Sequence, residues 1–473
     1  MRLILLIFTI LLSVGARAEG LSFDMAHKEM LDNNLEIEAG RKAIEIAQLE
    51  LQATRGLRYP SIDLVADYTL MQRDIRVDLG GSKGALSNIA QNIINKGVTN
   101  GIISPDIAKF ISEGLSPLLA ADWGYTLQKR STFIGAVTLT QPIYAGGRIN
   151  AAITAAEIIT NQAEYQLQAI INNTTTQLVE YYYGVVLAER DVEVRSDVVN
   201  GIKQHLDNAK AMEEEGLIPH SEVLYVEYRL AEAERELNDA TNKLTIAREA
   251  LSKILNRECN EILTDRIFIV DSIYPINYYI ESATNINPIL LGSRGNLALS
   301  EENIKLTRAA LLPEIAALGG AIIASHNLTT ILPRWSVGIG LKMNLFNGLT
   351  NERRHQAANR MSEAAFSITE FATNKITLLV ENEYYSAINS LKAIDMINTS
   401  LRFARAYLEA KSEGFKEGFT PSQELIDAQL ELQAAELKQL AVAYDFCKYL
   451  ARLLEAAGIS DTFTDYQQRA IFL

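Results

Sequence analysis

The stretch "EEGLIPHSEVL" (214–224) recurs later in the chain as "KEGFTPSQELI" (416–426). Gly216 matches Gly418, Pro219 matches Pro421 and Glu222 matches Glu424, each pair 202 residues apart. Glycine supplies the left-handed backbone that ends a helix, and proline suits the first turn of the next one. Both stretches therefore read as tight reversals between helices. At the second, Thr420 is the expected N-cap, with Gln423 completing a capping box. At the first, Ile218 is a poor cap.

Working outward, the chain is free of proline over 143–218, 220–274, 334–420 and from 422 to its end. Proline inside a helix costs roughly 3 kcal/mol, so these gaps are where long helices fit. Over about 150–212, Leu178, Tyr181, Val185, Ala188, Val192, Val199, Ile202, Leu206 and Ala209 follow a three–four spacing broken at Arg195. That is a coiled-coil seam. At roughly 1.5 Å per residue it predicts a rod of about 90 Å. The matching run over 351–413 has a weaker seam, with Asp395 and Asn398 near positions where apolar residues belong.

Both halves follow one plan, the mark of an internal duplication. "NNLEIEAGRKAIEIAQLELQATRGLRYPSI" (33–62) resembles "INPILLGSRGNLALSEENIKLTRAALLPEI" (286–315), and "QPIYAGGR" (141–148) resembles "MNLFNGLT" (343–350). Pro60 and Pro313 lie 253 residues apart, so the first half carries an insertion of about fifty residues over 74–130. Within it, 87–98 and 104–123 read as short amphipathic helices that could cap a pore, bind a neighbour or stabilise an assembly.

"RWSVGIGLKMNLF" (334–346) alternates, with Trp335, Val337, Ile339, Leu341 and Met343 on one face and small or polar residues on the other. Residues 132–144 alternate more loosely, and 61–72 and 314–325 supply partner strands. Such strands suit either two hairpins on a soluble core or a membrane barrel with lipid outside. Four strands cannot close a barrel, and an open edge is forbidden in lipid. A membrane form must therefore pool strands from several chains.

Arg2, the apolar run 3–14 and "ARA" (16–18) read as a signal peptide cleaved after Ala18. The net charge is −14, which disfavours nucleic acid as a partner. Cys259 and Cys447 allow one disulfide, though both follow helical stretches where small apolar residues stay unpaired. His27, His205, His220, His326 and His355 are scattered without metal-ligand spacing, and no nucleotide or hydrolase motif occurs. No enzyme, metal site or cofactor is expected.

The signal, two repeats of strand–strand–long helix–turn–helix and the "P-x-Y/F-x-x-G" corners resemble the TolC-like outer-membrane efflux protein family over roughly 20–458. The resemblance implies a mainly α-helical fold with a β-barrel portion. Three chains would build a twelve-stranded barrel in the outer membrane and an α-helical tunnel through the periplasm. It implies a domain plan: signal 1–18, first repeat 19–258, equatorial linker 259–285, second repeat 286–458 and tail 459–473. Strand pairs fall at 60–73 with 131–144 and 313–325 with 334–346, and tips at 214–222 and 416–424.

The implied function is export of small molecules or secreted proteins, with a periplasmic adaptor and an inner-membrane transporter as partners. Gly216, Leu217, Pro219, Gly418, Phe419 and Pro421 would form the adaptor-contacting tips, and Gly146, Gly147 and Gly348 the strand-to-helix corners. Glu222, Glu424 and Asp427 would line an acidic aperture, although acids near a helix start also simply suit the helix dipole. Phe415 and Thr420 stand where the family's latch has tyrosine and arginine, so a closed state needs other contacts, such as Lys416 or the adjoining tip. A periplasmic coiled-coil scaffold that conducts nothing is the alternative.

Overall fold

The computed structural model describes residues 20–328, 333–417 and 419–472. The expected signal peptide and Gly418 lie outside the described residues. The elements in order are α1 (Phe23–Asn33), α2 (Leu35–Gly56), β1 (Ser61–Leu70), β2 (Ile75–Asp78), α3 (Gly80–Thr99), α4 (Pro105–Ala120), β3 (Gly124–Gln128), β4 (Ser131–Ala145), α5 (Arg148–Glu214) and α6 (His220–Leu255). They continue with β5 (Phe268–Ile269), α7 (Ile276–Ile286), α8 (Pro288–Ala309), β6 (Glu314–His326), β7 (Trp335–Lys342), α9 (Thr350–Lys416), α10 (Ser422–Ala457), α11 (Phe463–Gln467) and β8 (Ile471–Phe472). The duplication is visible in helix length: α5 and α9 each run 67 residues, and α6 and α10 each run 36.

Two compact units emerge. The helical unit holds the chain up to Gln52, Ala152–Ile304 and everything from His355. The strand unit holds Ala53–Ala151 and Lys305–Arg354. Among the described residues no helix is long and apolar enough to cross a membrane.

In the helical unit the seam of α5 is wider than the heptad reading. Leu178, Val185, Val199, Ile202, Leu206 and Ala209 are buried, but Tyr181 is exposed while Tyr182 and Tyr183 are fully buried. A helix packed on more than one neighbour buries a broader stripe than a two-stranded seam does. Arg195 is tolerated at the break because Asp191 and Glu236 hold it at 2.7 and 2.5 Å. The seam of α9 proves equally regular: Ile376, Val380, Glu383, Ala387, Ser390, Ile394, Ile397, Leu401 and Ala404 are all buried. Asp395 and Asn398, which made it look weaker in sequence, flank the seam: Asp395 is exposed and half-buried Asn398 accepts from Gln439 Nε2 at 2.7 Å, while Glu383 and Ser390 are the polar residues in it.

At the base of the hairpins an aromatic knot joins distant segments. Phe23 packs on Tyr182, Tyr183 and Phe463 with ring centroids 5.2–5.8 Å apart, and Phe268 closes on Tyr183 and Phe463. Cys259 and Cys447 are free and buried, and burial pushes the Cys447 thiol up to about 12.

The strand unit is a four-stranded antiparallel sheet in the order β1-β4-β6-β7. Residues directly opposite in such a ladder share a face. Ile62 pairs with Leu139, Leu64 with Val137 and Tyr68 with Phe133; Leu139 pairs with Gly319, Gly319 with Val337 and Ala317 with Ile339. One face is thus apolar across all four strands. Asp63, Asp67, Thr138, Thr140, Ser336 and Lys342 lie on the other, together with apolar Val65, Ile134, Leu318 and Ile322. Among the described residues nothing pairs with the outer edge of β1 or β7.

The insertion holds α3 and α4 and, unforeseen in the sequence, an antiparallel β2–β3 pair that brackets them. The corners turn on left-handed glycines: Gly146, Gly147 and Gly348 have φ of +62, +87 and +71. A Cβ on Gly146 would stand 2.9 Å from the Ala309 carbonyl oxygen, so only glycine fits there. Arg148 pairs with Glu314 at 2.7 Å beside that corner. Leu349 carries φ +64 without being glycine, a strain the sequence does not announce.

Candidate functional site

The two tips are built by related backbone locks. After α5, Leu217 N–H donates to the Met212 carbonyl and Gly216 N–H to Glu213, both at 2.8 Å, with Gly216 at φ +73. After α9, Phe419 N–H donates to the Gly414 carbonyl at 2.8 Å and Thr420 N–H to the same oxygen at 3.1 Å. The span from Leu217 to Met212 equals that from Phe419 to Gly414, so the loops share one closing bond. Pro219 and Pro421 are the N-caps of α6 and α10, with extended backbone and no side-chain cap. This corrects the expectation for Thr420 and Gln423. Proline's fixed φ already matches the cap, and the Thr420 backbone is engaged with Gly414.

Leu217 and Phe419 project from these loops at 70% and 85% exposure, whereas Ile218 tucks against the core formed by Val198, Ile202 and Val223. His220 Nδ1 lies 2.8 Å from Glu213 Oε1 and straps the first loop.

Gly414 is a residue the sequence reading missed. A Cβ there would sit 2.3 Å from Thr420 Oγ1, so the second loop folds directly over a bare backbone. Gly414→Ala is expected to loosen this tip alone, seen as faster protease nicking around residue 417 at unchanged global melting. Adding Thr420→Ala should restore most of the protection; no recovery would refute the steric cause.

Two of the three acids are paired. Glu424 accepts from Lys411 Nζ at 2.5 Å across the second turn, and that bond raises the Lys411 pKa. Asp427 lies 3.4 Å from Arg229, linking α10 of the second repeat to α6 of the first. Arg229 also meets Glu232 at 2.9 Å and lies over the Tyr225 ring. Lys416 turns back to Glu413 within its own helix. Glu222 stands in the first turn of α6, its N–H donating to the Pro219 carbonyl.

Phe415 packs edge-on against His205 of α5, with centroids 4.5 Å apart. His205 is 5% exposed, and its Nε2 has no partner among the described residues. Beside them Gln429 lies so close to Gly201 that a Cβ there would meet its amide at 2.1 Å. Burial alone lowers the His205 pKa. The folded state therefore binds this proton less readily than the unfolded state does. Its stabilising contribution is full above the unfolded value near 6.5 and is lost as pH falls below it. Thermal unfolding should show an acid-side loss of stability that His205→Phe reduces; an unchanged pH profile would refute the assignment.

The sequence profile of the Outer membrane efflux protein family matches residues 26–257 and 279–459. The chain belongs to that family. It is 22% identical over 322 residues to the cobalt-zinc-cadmium resistance protein CzcC of Cupriavidus metallidurans, covering 66% of this chain and 74% of that one. It is 22% identical over 346 residues to the alkaline protease secretion protein AprF of Pseudomonas aeruginosa, covering 70% of each. The fold superimposes on the Campylobacter jejuni CmeC outer membrane channel with a TM-score of 0.71 at 13% identity, over 94% of this chain and 89% of that one. The protein is thus an outer-membrane efflux protein with the fold of the solved outer-membrane channels.

Proposed function

We propose that three copies of this chain pool their sheets into one twelve-stranded barrel. Their helical hairpins then continue as a periplasmic conduit whose mouth is bounded by the two tips. The observation that carries this reading is the apolar face shared by all four strands together with two unpaired edges. Unpaired backbone costs several kcal/mol per group in lipid, so edge β1 must find edge β7 of a neighbour.

The sheet also has the right height. Tyr68 and Phe133 face each other near one end, while Tyr144 lies opposite Ile315 at the other. The eleven steps from Phe133 to Tyr144 span roughly 37 Å along a strand at ~3.4 Å each, or about 28 Å vertically at a tilt near 40°. Aromatic girdles flank an apolar band of about 25 Å in outer-membrane barrels.

At the mouth, Glu222, Glu424 and Asp427 repeated three times supply a negative field that favours cations. The Asp427–Arg229 and Glu424–Lys411 pairs replace the tyrosine and arginine that Phe415 and Thr420 do not provide. Exposed Leu217 and Phe419, beside Pro219 and Pro421, offer a shallow apolar surface to the helical tip of a periplasmic adaptor. The adaptor and an inner-membrane pump would deliver small molecules or secreted proteins.

The mass of the detergent-solubilised particle tests the assembly. A protein mass of three chains, with cation-selective steps in a planar bilayer, is expected. A monomer that conducts, or a folded trimer that stays silent with its tips cut back, would overturn it.

A further inference from the structure

One contact joins the end of the second repeat's long helix to the long helix of the first. Phe415, one residue before α9 ends at Lys416, meets His205 of α5 edge-on with ring centroids 4.5 Å apart. The His205 Nε2 is buried and has no hydrogen-bond partner among the described residues. One helical turn earlier, the Gln429 amide of α10 fills the space over Gly201. Beside the two rings a cavity of about 520 Å³ opens between α5, α9 and α10, with Leu408, Leu425 and Leu432 on its apolar wall.

The charges around the ring are few, and most are committed elsewhere. From α9, Arg405, Glu409 and Lys416 line the same cavity, but Arg405 turns to Glu436 and Lys416 to Glu413. The α10 residues on the wall carry no charge. α6 adds nothing to the wall, and its Glu234 and Glu227 pair with Lys203 and Lys210 of α5. Asp207 of α5 lies two residues from His205, a spacing at which side chains of one helix do not face each other. Burial is the one cause that shifts the ring's pKa, so none of these groups offsets it.

A neutral imidazole carries one N–H and can leave its bare nitrogen in a dry seat. An imidazolium carries two, and a buried charge without a partner is far costlier than a buried lone pair. We propose that His205 and Phe415 form an acid-released clasp, which holds the end of α9 on α5 while the imidazole is neutral and frees it once the ring is protonated. Protonation turns the ring toward the water of the cavity and breaks its edge contact with Phe415. That this release also widens the mouth rests on the conduit reading of the two tips.

Hydrogen–deuterium exchange of the full-length protein in detergent, corrected for the intrinsic pH dependence of amide exchange, tests the clasp. Between about pH 7.5 and about pH 5.5, exchange over 408–416 should accelerate up to about tenfold in wild type. That is the limit, one unit below the unfolded value of 6.5, for a single site protonated only when released. His205→Phe, which keeps an aromatic ring against Phe415, should match wild type at the higher pH and lose the acceleration. Phe415→Ala should exchange fast at both. Melting near that of wild type at neutral pH confirms that both variants fold. No acceleration in wild type, or the same acceleration in His205→Phe, would overturn the clasp. So would slower exchange in acid, which would mean that the Phe415 face holds the imidazolium. Bilayer conductance is read in parallel. Exchange that responds to acid while conductance does not would leave the clasp standing and count against the tips as the mouth.

Discussion

Val337→Arg abolishes recovery of assembled protein from outer membranes, whereas Gly338→Arg, one residue on, leaves it intact. That is the expected result of the ladder register. Val337 sits opposite Gly319, in line with Leu139 and Ile62 on the apolar face. An arginine facing lipid near the midplane costs about 2–4 kcal/mol, and a three-chain barrel incurs it three times. A total stability of about 5–15 kcal/mol does not absorb such a loss. Gly338 lies on the opposite face, where an added Cβ meets open space. Equal recovery of both variants would overturn the lipid-facing assignment, and loss of both would overturn the lumen.

The second large effect is expected at the mouth. Glu424→Ala/Asp427→Ala removes two carboxylates per chain and leaves Lys411 and Arg229 without these partners. The double variant should lose cation preference and conduct more. Arg229→Ala separates the two causes: it keeps both acids and removes the tie between α6 and α10, along with the Arg229–Glu232 pair inside α6. An exposed pair contributes about 0.5 kcal/mol, so three copies amount to roughly 1.5 kcal/mol, or about tenfold in the fraction of open channels. Arg229→Ala should therefore open the channel while cation preference persists or grows. Unchanged conductance and selectivity in both variants would place the constriction away from these tips.

The periodic and the repeated features were legible in sequence, and the long-range pairings were not. Proline gaps predict the long helices because one proline outweighs most local preferences, and the matched tips expose the duplication. β7 declares its faces by strict alternation. β4 hides them, since Ile134 sits on the polar face opposite Asp67 and an extra residue between Pro142 and Tyr144 breaks the period near its end. β2 and β3 are too short to signal themselves; α3 and α4 bring them together. At the mouth, Glu424 and Asp427 are visible as acids, but Arg229 lies 198 residues from Asp427 and nothing local marks it as a partner. Gly414 looks like any helical glycine until the loop returns over it. The cap at Pro421 was misplaced because residue-type preference favours threonine, while the backbone answers to proline's fixed φ.

The aromatic knot has a consequence for timing. Its rings come from positions 23, 182, 183, 268 and 463, so the helical unit lacks a finished core until nearly the whole polypeptide has been delivered. Contacts of such sequence separation form late, because loop-closure entropy opposes them until both ends are present. Meanwhile β1 and the long apolar stripe of α5 emerge early and wait without partners, a hazard for aggregation. Chaperone dependence in this protein should therefore reside in the nascent chain, and a ribosomal stall before Phe463 would leave a product to be degraded before any membrane is reached.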